Sequence, residues 1–278
     1  MTTTIEALDV DRQLKAKHRA MWALGNYPEL ATDLISDLGP VLVNASKVRR
    51  GDHVLDVAAG SGNAAIPAAL TGAAVVASDL TPELFDAGRS QAAARGATLT
   101  WATADAEALG FSDGEFDIVM SCVGVMFAPH HQSAADELIR VCRTGGTIGL
   151  LSWTPGGFVG QLFAAMKPYA PPPPPGAQPP PLWGNEDHVR ELFGDRVTDV
   201  AARIDTVTVD HFRAPADFRE YFKSHYGPTI AVYRSIADDP QRVAALDADI
   251  DALVRRFQRG DGTAVMDWEY LVVTGTKA

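Results

Sequence analysis

The stretch VLDVAAGSG at residues 54–62 decides the fold of this chain. Its first part belongs to a β-rich run, HVLDVA at 53–58. An alanine-rich segment typical of a helix follows its last glycine. Glycine is needed at such a junction because the backbone turns sharply there and comes close to a ligand. The N-terminus of the helix beyond the glycines offers unpaired N–H groups. We therefore predict a strand, a ligand-binding loop and a helix in succession.

The same alternation of strand and helix continues along the chain. Several more β-rich runs follow, and helical segments separate them. One of these segments, at 134–143, has an apolar face formed by Ala135, Leu138, Ile139 and Cys142. Strands joined by crossover helices form βαβ units, which build a parallel sheet covered on both faces. With two later strands the prediction is an α/β fold with a seven-stranded sheet. The strands after the first are predicted at 75–80, 98–105, 116–123, 146–153, 204–212 and 270–276.

Helical segments flank this sheet. The patterns predict helices at 5–24 and 28–47, with a break or kink of the second at Gly39-Pro40. A further amphipathic helix is predicted between Val243 and Phe257. Residues 168–181 hold nine of the 18 prolines, which favours an irregular or polyproline II spacer. We divide the single domain into an N-terminal cap (1–50), a ligand-binding core (51–154), a variable region (155–265) and a final strand (266–278).

Composition limits the classes of partner. The net charge of −11, from 24 Lys and Arg against 35 Asp and Glu, argues against nucleic acid, which needs clustered positive charge. A small-molecule partner is therefore favoured. The two cysteines have no metal-ligand spacing, and no apolar run approaches the roughly 20 residues that span a bilayer. We expect a cytoplasmic protein without a membrane span, and a homodimer is left open.

Three acidic residues stand at the ends of three successive strands. The pattern Gly60-x-Gly62-x-x-Ala65, with Asp79 about 20 residues further on, also fits a dinucleotide site. However, Asp56 stands just before the loop, where a carboxylate would repel a pyrophosphate but suits a ligand carrying an ammonium and a sulfonium. Asp79 fits a ribose, and Asp105 fits the exocyclic amine of adenine. These acids favour adenosine with a positive charge over a dinucleotide.

Several motifs in the same order resemble the class I S-adenosylmethionine-dependent methyltransferases, of the type that includes the ubiquinone and menaquinone C-methyltransferases. Ala58 stands where the first motif most often has glycine, and Thr144 where proline is usual. The resemblance implies a Rossmann-like fold with an antiparallel last strand and S-adenosylmethionine as cofactor. The motifs are VLDVAAGSG (54–62), ASDLTPELFDAGR (77–89), ATADAEALGFSDGEFDIVMS (102–121), ELIRVCRTGGTIGLLSW (137–153) and YLVVTGTK (270–277).

The resemblance also implies roles for individual residues. Asp79 would hold the ribose, and Asp105 with Ala106 the adenine. The loop from Ala58 to Gly62 would lie against the methionine portion of the cofactor. The complete predicted cofactor-binding set is Tyr27, Asp56, Ala58, Gly60, Gly62, Asn63, Asp79, Leu80, Asp105, Ala106 and Cys122.

Methyl transfer is an in-line displacement that depends mainly on alignment and exclusion of water. No metal is implied, because Cys122 stands where metal-dependent catechol relatives have a carboxylate. His130 and His131 are candidate general bases, with exposed loop histidines as the alternative. Aromatic residues of the variable region suggest an apolar or aromatic acceptor. The alternative functions are a cofactor-binding, non-methylating or regulatory member of this fold and a nicotinamide-dependent oxidoreductase.

Overall fold

The structure, a computed structural model, describes the backbone of residues 2–260 and 262–278 and the side chains from residue 11 onward within those ranges. Seven strands form its central sheet. Their apolar residues are enclosed by helices on both faces, as expected for parallel strands joined by crossovers. The strands are β1 His53–Val57, β2 Ala74–Asp79, β3 Thr100–Thr103, β4 Phe116–Cys122, β5 Cys142–Trp153, β6 Val197–Val209 and β7 Met266–Lys277.

The strand order is β3-β2-β1-β4-β5-β7-β6. The pairs β1–β2, β1–β4, β2–β3 and β4–β5 are parallel, whereas β7 is antiparallel to both β5 and β6. Val54 and Leu55 of the central strand β1 are fully buried. The predicted α/β sheet of seven strands with a reversed last strand is confirmed. Its order reverses between β1 and β4, where open α/β sheets bind ligands.

Helices cover the sheet and its carboxyl edge. Most run between successive strands, and three of them, α9 to α11, form the predicted insert before β7. None of the helices in the described ranges is both long and apolar enough to cross a membrane. The helices are α1 Thr2–Trp22, α2 Tyr27–Ile35, α3 Leu38–Ala45, α4 Ala65–Leu70, α5 Phe85–Ala94, α6 His131–Val141, α7 Phe158–Met166, α8 Glu186–Phe193, α9 Pro215–His225, α10 Gly227–Ser235 and α11 Pro240–Phe257.

The predicted break at Gly39-Pro40 is wrong in position. The chain interrupts the helix earlier, between Ile35 and Leu38, so that Pro40 falls in the first turn of α3. A proline there removes an N–H that has no partner within the helix. Gly39 is required for another reason: a Cβ at this position would lie 1.8 Å from the carbonyl oxygen of Asn63. Helix α3 therefore packs directly against the glycine-rich loop after β1.

Three strands begin several residues earlier than predicted, and one of them is β7, which begins at Met266 and not at 270. Cys142 was expected on the face of a helix, but it is the first residue of β5 and pairs with Phe116 of β4. Strand β6 begins at Val197 and not at 204, because its first part pairs with the end of β7. The proline-rich segment has no regular structure before the 3₁₀ turn Pro180–Gly184, in agreement with the irregular spacer that the sequence predicts.

Candidate functional site at the carboxyl edge of the sheet

A cleft of about 670 Å³, part of it open to solvent, lies at the carboxyl ends of β1, β2 and β4. Its floor comes from the loops that follow these strands, and α1 covers it from above. A segment after β3 and the 3₁₀ turn Val125–Phe127 close its two ends. The lining residues include Lys15, His18, Trp22, Tyr27, Ala58, Gly60, Asp79, Leu80, Thr81, Asp105, Ala106, Val123, Phe127 and Pro129.

The loop after β1 has an unusual backbone. Ala58, Gly60 and Gly62 have φ values of +54°, +56° and +89°. Glycine adopts this left-handed region without strain, whereas alanine does so at a cost of the order of 1 kcal/mol. A Cβ on Gly62 would also lie 2.8 Å from Cη2 of Trp101. The loop thus turns its backbone toward the cleft, and the strain at Ala58 lies at a lining position, as is common at functional sites.

Asp79 fixes this loop and faces the cleft. Its Oδ2 accepts a hydrogen bond of 2.8 Å from the N–H of Gly60, and its Oδ1 one of 2.8 Å from the N–H of Thr81. Burial raises the pKa of Asp79, and the two backbone N–H groups offset part of that effect. Each carboxylate oxygen keeps a further acceptor position. This geometry fits the pair of vicinal hydroxyls of a ribose.

Asp56 lies in β1, directly beneath the loop, and not on the surface of the cleft. Its side chain is 1% exposed, and neither carboxyl oxygen has a hydrogen-bond partner among the described residues. Burial raises its pKa to about 8; the nearby backbone N–H of Ala65 offsets part of that effect, and the neighbouring Asp79 adds to it. A buried carboxyl without a partner is unfavourable unless a cation compensates it. A cationic ligand in the cleft above would supply that charge.

At the other end of the cleft, Asp105 is joined to α1 by an ion pair. Nζ of Lys15 lies 3.1 Å from Oδ1 of Asp105 and also contacts Oε2 of Glu107. Burial opposes ionisation of Glu107, but hydrogen bonds from Lys15 and from the backbone N–H of His130 outweigh it and lower its pKa. Lys15 is only 9% exposed. This buried network holds α1 over the position where the sequence predicts adenine.

Aromatic side chains enclose the middle of the cleft. Trp22 packs edge-on against Tyr27 and Phe127, with ring centroids 5.6 and 4.6 Å away, and against Tyr226 at 5.9 Å. Burial raises the pKa of the Tyr27 hydroxyl, which therefore stays protonated at neutral pH. The sequence singled out Tyr27, and the cluster around it joins the N-terminal cap to the insert.

The structure brings together most, but not all, of the predicted cofactor residues. Tyr27, Ala58, Gly60, Asp79, Leu80, Asp105 and Ala106 line the cleft, whereas Asp56, Gly62, Asn63 and Cys122 are not among its lining residues. Asn63 donates a hydrogen bond of 3.0 Å from Nδ2 to the carbonyl of Ile35, which ties the loop to α2. Burial raises the pKa of Cys122 well above its usual value, so its thiol stays neutral.

Neither candidate base lines the cleft. His131 is fully buried and packs against Trp183, and its Nδ1 lies 2.9 Å from Nε2 of His188. Burial, and then the neighbouring His188, lower the pKa of His131 to about 4. His130 directly follows the lining residue Pro129, and its Nδ1 is held 2.9 Å from Oε2 of Glu107. These contacts hold His131 in the core beside Trp183 and hold His130 beside Glu107.

Sequence reasoning missed Lys15, His18, Thr81, Val123 and Phe127 as lining residues. Lys15 meets Asp105 across 90 positions of the chain, and no local pattern indicates such a contact. Val123 has a φ of +54°, and a Cβ on the following Gly124 would lie 2.2 Å from the carbonyl oxygen of Ala58. The glycine after a valine-rich strand was the available signal that β4 approaches the loop closely.

Comparison with known proteins identifies a methyltransferase domain in this chain. A family model described as a methyltransferase domain matches residues 54–146. The uncharacterised protein Rv1403c of Mycobacterium tuberculosis is 56% identical over 268 residues, which cover 96% of this chain and 97% of that protein. The ubiquinone/menaquinone biosynthesis C-methyltransferase UbiE of Zymomonas mobilis is 37% identical over 99 residues, which are 35% of this chain and 41% of UbiE.

Solved structures share the fold at low sequence identity. The YcgJ protein of Bacillus subtilis has a TM-score of 0.59 and 16% identity, over 87% of this chain and 98% of that one. The [4+2]-cyclase SpnF has a TM-score of 0.51 and 17% identity, over 87% and 80% of the two chains. This chain belongs to the class I S-adenosylmethionine-dependent methyltransferase family. It also belongs, with Rv1403c, to one group of relatives that match along nearly their whole length.

Proposed function

We propose that this protein binds S-adenosylmethionine in the cleft and transfers its methyl group to a small, apolar or aromatic molecule. The observation that carries the proposal is the pair of acids at the loop. Asp79 is hydrogen-bonded to the loop and open to a ribose, and Asp56 is buried beneath it without a partner. A dinucleotide would bring a pyrophosphate to the same loop, and its negative charge would disfavour ionisation of the buried Asp56 instead of compensating it.

The cofactor supplies an activated methyl group on a positively charged sulfur. The chain's own contribution is to bind, orient and exclude water. Asp79 and the backbone of Gly60 would hold the ribose, and Asp105 and Ala106 the adenine. Trp22 and Phe127 exclude water from the middle of the cleft, beside the loop that would face the methionine portion.

The reaction is proposed to need no metal. One group of described side chains has metal-ligand spacing, namely Asp11, Glu107 and His130. Its central carboxylate, Glu107, already pairs with the ammonium of Lys15 and with His130. At the end of β4 the chain has Cys122, whose thiol is held neutral by burial and is thus a poor metal ligand.

Calorimetric titration with S-adenosylmethionine and with S-adenosylhomocysteine tests the proposal. We expect both to bind, and Asp79→Ala to weaken binding about a hundredfold, because two hydrogen bonds to a charged group are lost. Asp86→Ala is the matched control, since Asp86 is exposed and lies outside the cleft. Absence of binding by the folded wild-type protein, together with binding of a nicotinamide dinucleotide, would overturn the proposal.

Binding without methyl transfer to any acceptor class would instead favour a non-methylating or regulatory role. A panel of phenols, amines and thiols, followed by formation of S-adenosylhomocysteine, separates these outcomes.

A further inference from the structure

Strand β6 forms one end of the sheet, and its outer edge is open. Its 13 residues, Val197–Val209, pair with β7 alone among the described strands. At the opposite end of the sheet, β3 has only four residues. Natural proteins protect sheet edges by keeping the last strand short or by covering it, because open N–H and C=O groups attract another strand. Strand β6 is long, and five of its residues between Ala201 and Thr208 are exposed.

Alternate residues of β6 direct their backbone groups to this open edge. The N–H of Thr206 donates to Oδ1 of the neighbouring Asp205 at 2.9 Å. The carbonyl of Glu269, which lies opposite Thr206 in β7, accepts from the N–H of Thr154 in the other direction. In an antiparallel pair, every second residue directs both its N–H and its C=O to the same side. Thr206 and, two positions earlier, Ile204 thus present these groups to the open edge.

The side chains at the centre of this edge suit a second copy of the same strand. Ile204 is 61% exposed, and it is one of two large apolar side chains that are exposed in the described part of the chain. Its neighbours Arg203 and Asp205 lie on the other face of the strand, because successive side chains alternate. Their charges are opposite, and Nη1 of Arg203 lies 2.9 Å from Oδ2 of Asp205. An apolar residue between one cation and one anion is complementary to itself when the chain direction is reversed.

We propose that β6 pairs antiparallel with β6 of a second copy of this chain, about a two-fold axis at Ile204. Ile204 then exchanges two hydrogen bonds with the partner's Ile204, and their exposed side chains cover each other. Arg203 faces the partner's Asp205, and Asp205 faces the partner's Arg203. These two pairs are of the kind without backbone hydrogen bonds, in which opposite side chains come closest. The interface closes as a dimer because it is the same patch on both copies.

Charge favours one register of this pairing. An axis at Arg203 would set that residue against its own copy, and an axis at Asp205 would set two carboxylates together. Like charges directly opposite destabilise a sheet, whereas opposite charges stabilise it. The backbone limits larger shifts, because a bulge between Thr198 and Ala201 interrupts the strand on one side and Val209 ends it on the other.

Charged residues on an edge strand also serve to keep other strands away. A protective charge of one sign repels a second copy in every register, whereas Arg203 and Asp205 repel it only when the axis is displaced. In the single chain the carboxylate of Asp205 accepts from the N–H of Thr206. In the dimer the carbonyl of the partner's Ala202 takes its place. The opposite charges therefore favour recognition of a second copy over protection of the edge.

Sedimentation velocity over a range of protein concentrations tests the inference. We expect a reversible equilibrium between monomer and dimer. Arg203→Asp and Asp205→Arg should each weaken dimerisation about tenfold, because each change replaces two attractions with two repulsions. The two changes combined should restore the wild-type affinity. Arg89→Asp, in an exposed ion pair on α5, is the control and should leave dimerisation unchanged.

Four results of this experiment would overturn the inference. They are a monomer at every concentration, assemblies that grow beyond a dimer, a dimer that both single variants leave unchanged, and a combined variant that associates no better than the single ones. Unfolding by urea shows whether each variant is folded, and the combined variant separates a loss of pairing from a loss of structure.

Cross-linking tests the register independently. A short bismaleimide should join Ile204→Cys to its copy, because the two positions face each other across the axis. Thr206→Cys should not be joined, since its two copies lie about 14 Å apart along the strands. The wild-type chain, with Cys122 half-buried and Cys142 buried, gives the background. Equal cross-linking of both variants, or of neither, would contradict pairing about Ile204.

Discussion

At the residue scale, Asp56 is the side chain on which folding and ligand binding act in opposite ways: burial disfavours its charged form, and a cationic ligand favours it. A carboxyl that is 1% exposed and has no partner among the described residues is held in its protonated form up to a pKa of about 8. Desolvation disfavours the charged form, and only a nearby positive charge can restore it. The residue thus makes the site sensitive to whether its ligand carries a cation.

This sensitivity can be measured by comparing two ligands that differ in the sulfonium. S-adenosylmethionine has the positive charge and S-adenosylhomocysteine lacks it. Because the cation favours ionised Asp56, binding it releases a proton near neutral pH. We expect the preference for S-adenosylmethionine to rise about tenfold between pH 6 and 9, which corresponds to about one pKa unit. Calorimetry at four pH values provides the ratio of the two dissociation constants.

The variant Asp56→Asn should remove this pH dependence, because an amide does not ionise. Asp86→Asn, an exposed change, should keep it. An equal slope in wild type and in Asp56→Asn would show that the buried carboxyl does not sense the sulfonium.

At the scale of the element, helix α1 is held over the cleft by ionic contacts. Lys15 pairs with Asp105 and Glu107, and one turn further Arg19 pairs with Glu83 at 2.7 Å. The second pair is exposed and contributes little, whereas the Lys15 pairs are largely buried, and removing one partner of such a network costs about 3–5 kcal/mol. A cofactor bound as proposed, with its adenine beside Asp105, would leave the cleft only if this helix moved.

We therefore expect Lys15→Met to speed cofactor release about tenfold while association changes little. Stopped-flow displacement of S-adenosylhomocysteine measures the dissociation rate directly. Lys17→Met is the matched control because Lys17 is exposed on the same helix. A slower release, or an equal effect in both variants, would show that Lys15 does not hold α1 in place.

The same element shows what the sequence can and cannot predict. Periodicity predicted α1, and the loop and the acids at strand ends predicted the floor of the cleft, because these signals lie within short stretches of chain. The contact between Lys15 and Asp105 depends on how a terminal helix packs on a distant strand. The burial of His131 against Trp183 and His188 also depends on contacts between distant parts of the chain, and for that reason the sequence did not indicate that His131 lies away from the cleft.

At the scale of the whole molecule, the strand order brings distant parts of the chain to one edge of the sheet. The cofactor cleft lies where the order reverses between β1 and β4. Strand β7, inserted between β5 and β6, carries Trp268 to the same side as α7 and the insert. Residues more than 200 positions apart in the chain, such as Tyr27 and Trp268, thus lie around one cavity.

Two of the buried groups contribute to the pH dependence of the stability of the whole molecule in opposite directions. His131 has a folded pKa of about 4 against about 6.5 when unfolded, so between these values the unfolded state binds more protons and stability rises with pH. Asp56 has a folded pKa of about 8 against about 3.9, so over that wider range the folded state binds more protons and stability falls with pH. Between pH 4 and 6.5 the two contributions oppose each other.

Single variants should reveal how each group alone changes the free energy of unfolding with pH. Relative to wild type, His131→Asn should lose stability as pH rises from 4.5 to 6.5, and Asp56→Asn should gain it, each by about 1.4 kcal/mol per pH unit at most. Urea unfolding at four pH values gives these slopes even where a substitution lowers the overall stability. His211→Asn and Asp86→Asn, both exposed, should follow the wild-type curve. If the stability of His131→Asn and of Asp56→Asn changed with pH as it does in the wild type, neither group would have a different pKa in the folded and unfolded chains. Burial would then not disfavour the charged form of either side chain.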